Sequence, residues 1–114
     1  MSTITTHVLD LTTGRPAAGM AVTLSALGND GRWSELARGV TDTDGRIRDL
    51  LAADRPLAAG VCSLRFDSAA YFIGRGLHTF YPEVIVSFRV DVAGAHYHVP
   101  LLLSPFGYST YRGS

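Results

Sequence analysis

Two histidines, an arginine and a tyrosine are the residues through which this sequence can do chemistry: His7, His98, Arg46 and Tyr111. A neutral imidazole can take a proton from water near neutral pH. A guanidinium and a phenol can hold an anionic heterocycle and offset developing negative charge. Together they are parts for hydrolysis without a metal. The stretch His96 to Ser114 is the densest in such groups, and its last four residues, Tyr111-Arg112-Gly113-Ser114, follow a strand pattern directly. A tail of that composition is expected to dock in a site, with its terminal carboxylate, rather than fray into solvent.

Each of these residues also has a plain structural reading. By type and spacing, His7 and His98 fit surface positions on polar strand faces. Arg46 follows Asp44-Gly45 and fits a turn or a surface ion pair. Tyr108 and Tyr111 fit strand packing. His96 and His98 project to one side as half of a metal site, but zinc takes three or four protein ligands and a lone H-x-H is weak evidence. Ser104 and Ser109 lack the G-x-S-x-G setting of a nucleophile. His78, in a loop without a partner in sequence, reads as structural.

The elements that must position these residues follow from alternation. In Thr3 to Leu9, Ile4, Thr6 and Val8 point one way, and Thr5, His7 and Leu9 the other. In His96 to Leu103, Tyr97, Val99, Leu101 and Leu103 form the core face, which turns His96, His98 and Pro100 outward. Ser104-Pro105-Phe106-Gly107 is a turn, and Tyr108 to Tyr111 a last strand with Ser109, Tyr111 and Gly113 on one face. Only the fold, or a second subunit, can bring these polar faces together. Between them lie a loop from Asp10 to Gly19 and a strand from Met20 to Leu27. A turn at Gly28 to Gly31 leads to a return strand from Arg32 to Val40, with Trp33 as its bulkiest residue. The polar turn Thr41 to Arg46 puts Arg46 at the start of a short strand. Leu50 to Ala59 is irregular, and Gly60 to Phe66 is a strand. Asp67 or Ser68 caps one short helix from Ala69 to Arg75, closed by Gly76. His78 to Pro82 is a loop. Glu83 to Val92 alternates cleanly, with Val84, Val86, Phe88, Val90 and Val92 facing one way. Seven or eight short strands and one helix describe an all-β sandwich.

The 114 residues fit a single domain, 1–114. With 46% hydrophobic and 18% charged residues the chain is globular. Ten basic and ten acidic residues cancel, so neither nucleic acid nor an anionic membrane is an expected partner. The one cysteine, Cys62, excludes an internal disulfide and reads as a buried thiol. No apolar run reaches the length of a membrane span, and the expected location is the cytoplasm.

Three motifs taken together carry a family resemblance: Thr5-Thr6-His7-Val8-Leu9-Asp10, Thr43-Asp44-Gly45-Arg46, and the whole of His96 to Ser114. They resemble the 5-hydroxyisourate hydrolases, the transthyretin-related enzymes of urate breakdown, over essentially the full chain. The Tyr111-Arg112-Gly113-Ser114 end is the signature that separates that family from transthyretin. The resemblance implies a transthyretin-like sandwich of two four-stranded sheets with one short helix. It further implies a homotetramer, a dimer of dimers, with active sites in a channel at the dimer–dimer interface. The implied reaction opens the lactam ring of 5-hydroxyisourate to give 2-oxo-4-hydroxy-4-carboxy-5-ureidoimidazoline, on the way to allantoin, with no cofactor and no metal. The family's site residues fall on His7, Arg46, His98, Tyr111 and Ser114. In that reading His98, with His7, deprotonates water and Arg46 binds the urate-like oxygens. Tyr111 contacts the heterocycle, and Ser114 orients a histidine or the water through its hydroxyl or carboxylate.

Overall fold

The computed structural model describes residues 3–114 as two β-sheets and one short helix. The first sheet contains β1 (Ile4–Asp10), β2 (Arg15–Pro16), β5 (Arg46–Ile47), β8 (Tyr97–Ser104) and β9 (Gly107–Thr110). Its backbone order is β2-β1-β8-β9, and β5 also pairs with β1. The second sheet contains β3 (Ala21–Leu27), β4 (Trp33–Val40), β6 (Gly60–Phe66) and β7 (Val84–Val90), in the order β4-β3-β6-β7. Helix α1 (Ser68–Ile73) follows β6. The expected four strands hold for the second sheet. The first has five, because two-residue strands β2 and β5 add to β1 from segments too short to show alternation.

The core lies between the sheets and comes from the faces that alternation assigns. Ile4 and Val8 of β1, and Tyr97, Val99, Leu101 and Leu103 of β8, are buried against Val22, Leu24, Leu64, Phe66 and Val84 of the second sheet. Thr6 also faces inward and satisfies its hydroxyl by donating to the Val99 carbonyl at 2.6 Å. The irregular segment 50–59 gives the core Leu50, Leu51 and Leu57, a contribution that no periodicity announces.

Several boundaries differ from the sequence reading, each for a local reason. Asp10 is the last residue of β1 rather than the start of a loop, and it is buried. Its carboxylate accepts from the Tyr71 hydroxyl at 2.8 Å and from the Thr12 amide at 2.8 Å. Burial, then the bond to Asp10, pushes the Tyr71 phenol up to about 12. The Arg75 guanidinium stacks 3.7 Å from the centre of the Tyr71 ring. This cluster pins the helix to β1. Helix α1 is capped by Asp67 as expected but stops at Ile73, and the chain turns on to Gly76 at φ +72°. Val92 lies beyond β7 and is 64% exposed, contrary to its place in the alternating run. The Asp91 and Val92 amides both donate to the Tyr97 hydroxyl at 3.0 Å, which ends the sheet register there.

Gly45 is the position at which the fold fixes Arg46. Its φ is +72°, and a Cβ would fall 2.4 Å from the Val8 carbonyl oxygen. The Gly45 carbonyl in turn accepts from the Val8 amide at 2.8 Å. Only glycine fits both demands. Gly45→Ala is therefore expected to destabilise the protein by about 1–3 kcal/mol, read as a lower urea midpoint at unchanged slope. An unchanged midpoint would contradict this account of the turn.

Candidate functional site

Two strand pairings bring the candidate residues together. β1 and β5 are antiparallel with His7 directly opposite Arg46, so both side chains leave the same face of the sheet. β1 and β8 are parallel with Thr5 opposite His98 and His7 opposite Pro100. Thr5, His7, Arg46, His96 and His98 therefore share the outward face of the first sheet. Four of them, Thr5, Arg46, His96 and His98, line a cavity of about 340 Å³ together with Thr6, Arg48 and Ser114, whereas His7 stands beside Arg46 outside that lining. That volume suits a small heterocycle. Larger hollows lie elsewhere, but the one of about 620 Å³ on the second sheet is lined by Glu35, Arg38 and Arg65, already tied in ion pairs, and by no histidine.

Arg46 is presented by an aspartate turn. Asp42 Oδ1 accepts from the amides of Asp44 at 2.8 Å and Arg46 at 3.0 Å. These backbone bonds, the one to Arg46 foremost, hold the Asp42 carboxyl below its ordinary range. Its Oδ2 accepts from Arg48 at 2.9 Å, and Asp44 lies 3.7 Å from the same guanidinium. Arg48 thus occupies both nearby carboxylates. Among the described residues Arg46 forms no ion pair, which leaves its guanidinium available to an anion.

Both histidines are half-buried, and both are held below the ordinary 6.5. For His7 the causes are burial first and the Arg46 charge second, opposed by a hydrogen bond to the Asp44 backbone and by the Asp42 and Asp44 charges. For His98 they are burial, then Arg46, His7 and His96. Both imidazoles are thereby kept neutral at pH 7, the form that accepts a proton. NMR titration is expected to give midpoints below 6.5 for both rings, and Arg46→Gln is expected to raise both. The folded state resists protonation in that window while the unfolded chain does not, so these two residues also make stability fall as pH drops below 6.5. Midpoints at or above 6.5 would refute the assignment.

The His98 ring is clamped from two sides. The Thr5 hydroxyl lies 2.8 Å from Nδ1. On the other side Gly113 forms an isolated bridge with His98, its amide donating to the His98 carbonyl at 2.8 Å. A Cβ at Gly113 would sit 2.4 Å from His98 Cδ2. Strand β9 stops at Thr110 because the next position faces Pro100, which has no amide to donate. Past this gap the tail re-engages at Gly113, and Ser114 reaches the cavity wall.

The structure brings Arg46, His98 and Ser114 to the cavity wall and sets His7 opposite Arg46 on the same sheet face, outside the lining. Tyr111 is 59% exposed and lies outside the lining of the cavity. His78 is exposed in its loop. Sequence reasoning misses Thr5, Arg48 and Asp42. The first two are visible in principle, since Thr5 shares a face with His7, and Arg48 with Arg46. No group of three or more His, Cys, Asp or Glu residues is arranged to hold a metal ion among the described residues.

Two facing sheets, one short helix after β6, and a polar cavity on the outer face of the sheet that pairs β1 with β8 define a transthyretin-like sandwich. The chain belongs to the HIUase/Transthyretin family, whose model matches residues 4–113. It is 45% identical over 111 residues to the 5-hydroxyisourate hydrolase of Salmonella dublin, covering 97% of this chain and 80% of that one. The solved 5-hydroxyisourate hydrolase of Klebsiella pneumoniae superposes with a TM-score of 0.85 at 39% identity, covering 97% and 98% of the two chains. Transthyretin from Sparus aurata superposes with a TM-score of 0.92 at 35% identity, covering 99% and 97%.

Proposed function

We propose that this protein hydrolyses 5-hydroxyisourate in urate degradation. The single observation that carries the reading is His98 beside an Arg46 guanidinium that forms no ion pair in one small cavity, with His7 opposite Arg46 on the same sheet face and both imidazoles held below their ordinary pKa. Fold alone does not choose, because the backbone matches a transthyretin at least as well as a hydrolase. Sequence leans the other way, with 45% identity to a hydrolase against 35% to that transthyretin.

In the proposed reaction His98 takes a proton from water, with His7 beside it. The water oxygen bonds to the ring carbonyl carbon, and Arg46 stabilises the charge gathering on the carbonyl oxygen. The amide C–N bond then breaks. The nitrogen leaves with a proton as the ureido group, and the carbon becomes the carboxylate of 2-oxo-4-hydroxy-4-carboxy-5-ureidoimidazoline. Ser114 orients the water or a histidine. Tyr111 contacts the heterocycle only if a second subunit closes over the cavity. The proposed assembly is accordingly a homotetramer of single-domain chains, residues 1–114, with the site at the dimer–dimer interface. Exposed Phe80, Phe106, Tyr108 and Ile85 on and near the edge strands β7 and β9 support an oligomer. The proposed location is the cytoplasm, in keeping with one free, buried thiol at Cys62. No helix among the described residues is long and apolar enough to cross a membrane.

The test is the ultraviolet decay of freshly generated 5-hydroxyisourate with and without the protein. Faster decay is expected. Decay no faster than in buffer, together with binding of a thyroxine-class ligand, would favour a transthyretin-like carrier instead.

A further inference from the structure

Thr5 Oγ1 lies between two imidazoles, 2.8 Å from His98 Nδ1 and 3.1 Å from His96 Nε2. Thr5 and His98 are opposite each other in the paired strands β1 and β8, and His96 lies just before β8. A hydroxyl has one proton, so it can donate to only one of the two rings. A working base at His98 needs a bare Nε2 and therefore carries its proton on Nδ1. That proton needs an acceptor. Facing His98 are His7 from β1, Arg46 from β5, His96 from just before β8, and Arg48 and Ser114 along the cavity wall. The two guanidinium groups cannot accept a hydrogen bond, and Thr5 Oγ1 is the oxygen in contact with Nδ1. A backbone hydrogen bond to Thr5 acts in the same sense, favouring an N–H on the ring.

We propose that Thr5 and His96 are positioning residues for His98: Nδ1–H of His98 donates to Thr5 Oγ1, and the Thr5 hydroxyl donates to the bare Nε2 of His96. The chain fixes both the tautomer and the plane of His98, and points Nε2 into the cavity. The same bonds make His96 hold its own proton on Nδ1, which gives the outer histidine of the H-x-H pair a role without a metal. The tautomer and its kinetic consequence both rest on the hydrolase reading, but the tautomer is measured without substrate.

The experiment compares Thr5→Val with Thr5→Ser, and His96→Phe with His96→Gln. Valine keeps the shape of threonine and removes the hydroxyl; serine keeps the hydroxyl. Phenylalanine removes the acceptor, and the glutamine carbonyl restores it. Because His96 is exposed, its variants leave the core alone. Thr5→Val is expected to lower kcat about tenfold with KM nearly unchanged, the scale of one hydrogen bond. Thr5→Ser is expected to retain most of the rate, and His96→Gln to exceed His96→Phe. Nitrogen-15 shifts of the His98 ring, which require no substrate, are expected to show Nδ1–H in the parent protein and in Thr5→Ser, and a shift toward Nε2–H in Thr5→Val. Full kcat in Thr5→Val, or an unchanged His98 tautomer, would overturn the proposal. A parent protein that shows the Nδ1–H tautomer yet fails to turn over 5-hydroxyisourate would strike the hydrolase reading and leave the hydrogen-bond chain standing.

Discussion

His98→Asn is expected to lower turnover of 5-hydroxyisourate by about 10²- to 10⁴-fold, the usual cost of losing a general base. Asparagine has nearly the same reach and can still donate to Thr5, so the local geometry survives. What it lacks is a nitrogen that can take a proton near neutral pH. The ring is half-buried on the outward face of the sheet, away from the core cluster, so the thermal midpoint should move little. Steady-state rates measured beside a melting curve separate the two effects. A variant with parental turnover would remove His98 from the role of base. One that melts many degrees lower would make it a structural residue.

Gly113→Ala is expected to cost about 10²-fold in kcat, although alanine adds only a methyl group. The added carbon would lie 2.4 Å from His98 Cδ2, 3.1 Å from Cγ and 3.3 Å from Cβ. These are the root and body of the imidazole rather than a flexible tip, so the ring itself must swing. A swing would disturb the 2.8 Å contact with Thr5 and, in the proposed mechanism, carry Nε2 away from the attacking water. The backbone at Gly113 is not in the left-handed region, so the effect is purely steric. Denaturant stability should stay close to that of the parent, and the His98 ring resonances should move. Parental kcat in Gly113→Ala would mean that the tail does not hold the ring.

The outward set Thr5, His7, His96 and His98 is legible in the sequence, because alternation in β1 and β8 assigns faces directly. So are the capped helix and the strand from Gly60 to Phe66. Arg46 sits at the start of a short strand, as its position after a polar turn suggests, but the cause is hidden from local pattern. It depends on Asp42 bonding two amides ahead of it and on Gly45 approaching the Val8 carbonyl. Neither contact leaves a periodic trace. Asp10 reads as loop because a carboxylate rarely ends a buried strand. Its partner, Tyr71, lies 61 residues away, beyond the reach of local pattern. Val92 continues the alternating run, yet Tyr97 intercepts the backbone there. Leu50, Leu51 and Leu57 sit in the core without a strand or helix to announce them.

The parallel pairing of β1 with β8 joins Thr5 to a histidine 93 residues further along the chain. Closing a loop of that size costs about 4 kcal/mol in chain entropy, before any contact offsets it. The turn between β3 and β4, by contrast, is local. A ribosome-bound chain that has not yet delivered residue 96 can build part of the second sheet, but it has no imidazole to set beside Thr5. A proteolytic nick that releases either partner strand likewise dissolves the whole constellation at once. Hydrolysis by this protein therefore doubles as an assay of chain integrity: an active molecule is one in which strands from opposite ends of the described chain are both present and paired.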